Sequence, residues 1–135
     1  MRIFLDANIL FSGALPHSRM RGFLEFLFRE GECVTNAYAV EEARRNLAAK
    51  FPEAVPHLNP LLMKCEMADA VATGFKASLP LKDVPILGGA IAARAQYLLT
   101  GDERDLGRYY GKTIEGVKVV SPKMLAEELT RLGLL

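Results

Sequence analysis

Tyr97-Leu98-Leu99-Thr100-Gly101-Asp102 is the stretch whose reading decides the fold. A short apolar run meets a Thr-Gly turn signal and then a carboxylate, the pattern of a buried strand that stops abruptly. Continuous apolar character, rather than alternation, marks a strand covered on both faces, as strands of parallel sheets are. Asp102 then projects from the carboxyl end of that strand, where open α/β sheets gather their ligands. Met1-Arg2-Ile3-Phe4-Leu5-Asp6 has the same form and also ends in an aspartate. Two strands that each deliver an aspartate to one edge begin a metal site.

Outward from these two strands, helical and extended patterns alternate. Ala7 to Leu15 reads as a short helix or turn closed by Pro16. Met20, Phe23, Leu24, Leu27 and Phe28 recur at helical spacing between a Ser18 cap and a Gly31 stop. Glu32 to Thr35 is a brief strand, and Asn36 caps a helix from Ala37 to about Phe51, ended by Pro52. A helix over Ala54 to Lys64 and a strand near Cys65 to Met67 follow, then a loop from Gly74 to Leu81. Asp83 followed by Pro85 signals a new helix, carried on by Ile86, Leu87, Ala90, Ile91 and Ala95. Beyond Asp102 come a short polar helix from Glu103 to Tyr109, a strand at Val117 to Val120, and a terminal helix opened by Ser121-Pro122. Strands alternating with helices predict an α/β chain with a mostly parallel sheet.

The totals agree. The 135 residues suit a single domain with its own core, and half of them are hydrophobic. A net charge of +1 advertises neither nucleic acid nor membrane, so any basic contact surface must be local. Cys33 and Cys65 form no close-spaced motif and suit reduced thiols in a cytoplasmic protein. The longest apolar stretch, Val84 to Leu99, is interrupted by Pro85, Arg94 and Gln96 and falls short of a span of roughly 20 residues.

Asp6, Glu42 or its neighbour Glu41, Asp83 and Asp102 stand at element ends or beside capping signals, with Asp105 one short turn further on. Each has a plain structural use. Asp83 serves as a helix cap, Glu41 and Glu42 as a solvated face beside Arg44 and Arg45, and Asp102 as a turn residue. Asp6 closes an apolar strand and would be desolvated without a partner. Taken together they predict a cation, because two like charges about 4 Å apart repel by roughly 4 kcal/mol at an effective dielectric of 20. His17 and His57 lie beside prolines in loops, so the donor set is all oxygen. That chemistry points to Mg²⁺ or Mn²⁺, and to hydrolysis of a phosphodiester.

Four segments in order then resemble the PIN-domain nucleases, the VapC-like toxin ribonucleases and their relatives. They are Phe4-Leu5-Asp6-Ala7-Asn8-Ile9-Leu10, Val40-Glu41-Glu42-Ala43-Arg44-Arg45-Asn46-Leu47, Asp83-Val84-Pro85-Ile86-Leu87 with Ala90, and Leu99-Thr100-Gly101-Asp102. The resemblance implies a three-layer, Rossmann-like fold, a central mostly parallel sheet flanked by helices. It also implies a Mg²⁺- or Mn²⁺-dependent ribonuclease acting on RNA, the toxin half of a toxin–antitoxin pair, with an antitoxin partner and a homodimeric state. On this resemblance Asp6, Glu42, Asp83 and Asp102 bind metal and carry catalysis. Asn8, Thr100 and Asp105 are accessory, and Glu41 is the alternative to Glu42. Ala7 and Ala43 depart from the family's commoner residues without removing a carboxylate.

Arg44, Arg45, Arg104 and Arg108 are the candidate phosphate contacts, with Arg19, Arg21 and Lys112 behind them. Tyr109 and Tyr110 either stack a base or pack on the sheet. Two other functions compete: a non-catalytic binding module on the same fold, and a phosphatase-like phosphohydrolase with Asp6 as nucleophile. The latter wants a second acid where Asn8 stands. A nucleotide site lacks a glycine-rich phosphate loop, and Gly88-Gly89 reads instead as a place for close helix packing.

Overall fold

In the computed structural model, which describes residues 1–135, the stretch Tyr97–Leu99 is a strand buried along its whole length. Six strands form one sheet: β1 (Arg2–Leu5), β2 (Glu32–Asn36), β3 (Glu66–Ala68), β4 (Tyr97–Leu99), β5 (Thr113–Ile114) and β6 (Val117–Val120). Their order across the sheet is β3-β2-β1-β4-β6-β5, and every neighbouring pair is parallel except β5 with β6. Ile3 lies between Cys33 and Tyr97, which makes β1 the central strand and explains why Ile3, Phe4 and Leu5 are fully buried. The chain winds from β1 out through β2 to β3, then crosses back to β4 on the other side of β1. This reversal sets a topological switch point between β1 and β4, the crevice where such sheets bind ligands.

Helices α1 (Ala7–Ala14), α2 (Arg19–Glu30), α3 (Ala37–Lys50), α4 (Leu58–Leu62), α5 (Val84–Ala92) and α6 (Pro122–Arg131) flank the sheet. The fold is the α/β architecture expected from the pattern of apolar runs. Local chemistry starts the helices as predicted: the side chains of Ser18, Asn36 and Ser121 accept from the N–H groups of Arg21, Ala39 and Met124. The glycines of α5 let it lie close to its neighbours. A Cβ on Gly89 would stand 2.5 Å from Asn36 Nδ2 and 3.2 Å from the Phe4 ring, and one on Gly88 would stand only 2.4 Å from the Ala72 carbonyl oxygen. Asn36 uses the space to donate to the Pro85 carbonyl at 3.1 Å, which ties the start of α3 to the start of α5.

Three elements differ from the sequence reading. The helix expected over Ala54 to Lys64 is a 3-10 segment, Pro52–His57, followed by the short α4. Pro56 sits in the 3-10 segment and Pro60 in the first turn of α4, where a missing N–H costs least. The polar helix expected from Glu103 to Tyr109 is a turn followed by a single 3-10 turn, Gly107–Tyr109. The Asp102 side chain takes the Asp105 N–H at 3.0 Å, a local bond that competes with helix continuation. The unforeseen β5 pairs with β6 through the two-residue turn Glu115-Gly116, whose φ values are +49° and +86°.

Candidate metal centre

Asp6 leaves β1 and opens α1 at the switch point, and Thr100, Gly101 and Asp102 leave β4 beside it. Asp6 is almost wholly buried, with 2% of its surface exposed. Its Oδ1 accepts from the Ala7 N–H at 2.6 Å, and its Oδ2 accepts from Thr100 Oγ1 at 2.8 Å and Asn8 Nδ2 at 3.3 Å. Thr100 Oγ1 also accepts from the Asp102 N–H at 3.0 Å, and Asn8 Oδ1 accepts from the Gly101 N–H at 2.7 Å. The two strand ends are therefore sewn together by the side chains that the sequence placed there. Burial pushes the Asp6 carboxyl up to about 6. The bonds from Thr100 and Ala7 work against that rise, while the charges of Glu42 and Asp102 add to it.

Asp83 reaches the site from the junction of a 3-10 turn (Leu81–Asp83) with α5. It holds the cap position of α5, but its backbone is helical and its side chain makes no capping bond, contrary to the capping role read from the sequence. The preceding 3-10 turn already carries the chain into the helix, so no extended cap residue is needed there. Asp83 is 5% exposed, and its Oδ2 is buried with no hydrogen-bond partner. Burial pushes its carboxyl up to about 6. Lys82 opposes that shift, and Asp102, Asp6 and Asp105 reinforce it. An unpartnered buried carboxylate oxygen is costly unless something cationic meets it.

Asp83, Asp102 and Asp105 each bring a carboxylate oxygen to within 4.8 Å of the others. The bond from the Asp105 N–H to Asp102 Oδ1 closes the turn that carries Asp105 back to the cluster. Asp6 and Glu42 stand outside this trio, yet Glu42 and Asp102 act on Asp6, and Asp6 acts on Asp83. The quartet read from the sequence is thus arranged as a close trio that includes Asp105, with Asp6 and Glu42 set back from it. Glu42 is half-buried on α3, whereas Glu41 is exposed and pairs with Arg45 at 3.9 Å on the same helix.

Sequence reasoning missed one member. The Lys82 ammonium lies 3.5 Å from Asp105 Oδ2 at the lip of the cluster. Burial there works against its charge, but Asp83, Glu42, Asp105 and Asp102 outweigh that and raise its pKa. The available signal was a lysine directly before Asp83.

The basic and aromatic candidates divide. Arg45, Arg104, Arg108, Arg19 and Lys112 are exposed, and Arg44 is half-buried. Arg21 is used internally, donating to the carbonyls of Gly13 and Ala14 at the end of α1. Tyr110 donates to the Thr100 carbonyl at 3.2 Å, and Tyr109 both donates to the Ser78 carbonyl (3.2 Å) and accepts from the Ser78 N–H (2.7 Å). Both rings are half-buried and serve packing.

An all-oxygen set of clustered carboxylates with one orphaned, buried oxygen fits a hard divalent cation. No helix is long and apolar enough to cross a membrane. No family model matches the chain, and no curated protein matches it. Among solved structures the chain is similar to one from VapBC2 of Rickettsia felis bound to a DNA fragment from their promoter. The two are 18% identical, with 90% of this chain and 98% of that one covered and a TM-score of 0.64. The likeness shows that the fold expected from the PIN-domain resemblance is the fold adopted.

Proposed function

We propose that this chain is a single-domain, metal-dependent endoribonuclease, the toxin component of a toxin–antitoxin pair acting in the cytoplasm. The observation that carries the reading is Asp83, whose Oδ2 is buried without a partner and whose carboxylate brings an oxygen to within 4.8 Å of those of Asp102 and Asp105. Asp83, Asp102 and Asp105 would hold Mg²⁺ or Mn²⁺, with Asp6 and Glu42 adding negative charge behind them. Such an ion supplies an activated water and neutralises charge on a phosphoryl oxygen.

The chain's own residues do the rest. Thr100 and Asn8 fix the Asp6 carboxylate and hold the β4 end in register with it. Asp102 fixes the turn that presents Asp105. The exposed Arg45, Arg104 and Arg108 provide cations for the RNA backbone away from the acids. The likeness to a chain of the VapBC2 complex on promoter DNA supports an antitoxin as partner here. A homodimer is the expected assembly. The phosphatase-like alternative is disfavoured because both oxygens of Asp6 are engaged by donors, which leaves a poor nucleophile.

The decisive experiment is cleavage of single-stranded RNA by wild type, Asp6→Asn and Asp102→Asn, with Mg²⁺, with Mn²⁺ and with chelator. Each variant is expected to lose at least about a hundredfold in rate, as removal of a key electrostatic group does, while circular dichroism stays native. Undiminished cleavage by either variant, or by wild type in chelator, would defeat the reading.

A further inference from the structure

Lys82 is out of place in a site built to collect negative charge. Its side chain is 60% exposed, so solvent could have taken it, yet its ammonium rests 3.5 Å from Asp105 Oδ2, and Asp105 is only 20% exposed. No other lysine or arginine makes an ion pair with Asp6, Glu42, Asp83, Asp102 or Asp105. The peptide between Lys82 and Asp83 fixes this arrangement. Asp83 is buried in the cluster from the start of α5, and the preceding 3-10 turn sets Lys82 on the rim beside it. Adjacency keeps the stem of Lys82 within reach of the trio, and the 3.5 Å contact shows where the ammonium rests.

We propose that Lys82 is a tethered counter-cation of the acidic cluster, which covers Asp105 in the metal-free protein, yields that oxygen to a divalent ion, and then meets an RNA phosphate at the rim. The inference rests on the metal-centre reading above. A single positive charge cannot satisfy three clustered carboxylates, and Asp83 Oδ2 remains unpartnered despite it. A divalent ion that engages all three displaces the weaker, solvated contact, because an ion pair open to water is screened and contributes little. The freed ammonium then lies within one side chain's length of any phosphate oxygen bound at the ion. A lysine suits that exchange, since a compact point charge on a flexible stem can swing between partners where a guanidinium fork prefers to stay paired.

The role makes two effects of opposite sign. Lys82→Gln removes a competitor for the acids, so Mn²⁺ titrated without RNA and followed by the loss of the free-ion paramagnetic signal binds tighter, by up to about fivefold, the fold-change of an exposed ion pair. At saturating Mn²⁺ the same variant shows a raised KM for a short single-stranded oligoribonucleotide. Lys82→Arg, which keeps the charge but not the free swing, recovers only part of the wild-type KM. A merely structural role would weaken metal and RNA binding together. Unchanged or weaker Mn²⁺ binding by Lys82→Gln, beside a wild type whose binding Asp83→Asn abolishes, overturns the role of Lys82 and leaves the metal centre standing. A wild type that binds no Mn²⁺ overturns both, since a counter-cation with nothing to displace is a surface lysine.

Discussion

Asp6 and Asp83 belong to the same acidic centre and are held in opposite ways. Both are buried, at 2% and 5% exposure, and burial pushes both carboxyls up to about 6. Around Asp6 three donors converge, from Ala7, Asn8 and Thr100. Around Asp83 one oxygen has none. The contrast separates two uses of a buried acid. Asp6 is built into the scaffold by hydrogen bonds that join β1 to β4 and offset part of what burial costs its charge. Asp83 is left open, and its negative charge becomes tolerable only when a cation arrives.

That difference predicts stability effects of opposite sign. The largest comes from Thr100→Val, which keeps the shape but removes the donor to Asp6 and the acceptor for the Asp102 N–H. The buried Asp6 carboxylate and the part-buried Asp102 N–H each lose a partner, and the metal-free protein should lose about 2 kcal/mol, read as a lower urea midpoint with an unchanged slope. Thr100→Ser should recover most of it, because the hydroxyl returns. A neutral Thr100→Val would show that the Asp6 side is no better held than the Asp83 side.

Asp83→Asn should act the other way and stabilise the metal-free protein by about 1–2 kcal/mol at pH 7, part of the roughly 1.4 kcal/mol that each unit of raised pKa represents. The pH dependence checks the cause. A carboxyl that titrates near 6 when folded and near 3.8 when exposed holds its proton more tightly in the folded state. Its contribution to stability is present below about pH 4 and lost as pH rises through about 6. Wild type without metal should therefore weaken between pH 4 and 6. Asp83→Asn should weaken less, retaining only the share due to Asp6. Added Mn²⁺ at pH 7 should recover the loss in wild type and not in the variant.

How far the site could be read in advance follows the same division. Asp6, Asn8, Thr100 and Asp102 were legible because each ends or follows an apolar strand, and strand ends of a parallel sheet share one edge whatever the loops do. The sheet and the capped helices were legible for the same local reasons. Asp83 was placed correctly at a helix start, but its freedom from capping depends on a 3-10 turn that no periodicity announces. Asp105 joins the trio through a turn closed by one side-chain bond, and Lys82 joins by adjacency to Asp83. The short β5 depends on a two-residue turn with positive φ at Glu115, a position where glutamate is an unusual choice.

The smallest effect tests how the open side is kept in place at all. Tyr109 clamps the Ser78 backbone by both its N–H and its C=O, and so joins the segment leading into Asp83 to the loop that follows Asp102. Ser78 is exposed, so water can replace the phenol on either group. Tyr109→Phe should consequently cost only about 0.5 kcal/mol of global stability. The informative consequence is local. Amide hydrogen exchange should quicken over residues 76–82, which lie in no helix or strand before the 3-10 turn and rely on this clamp beside the packing of Ala77 and Leu79 and the Lys82–Asp105 pair, and stay unchanged at Asp6, Asn8 and Thr100. If exchange quickened equally on both sides, the two halves of the crevice would open as one unit. The contrast between a built acid and an open one would then describe hydrogen bonding alone and not the mechanics of the site.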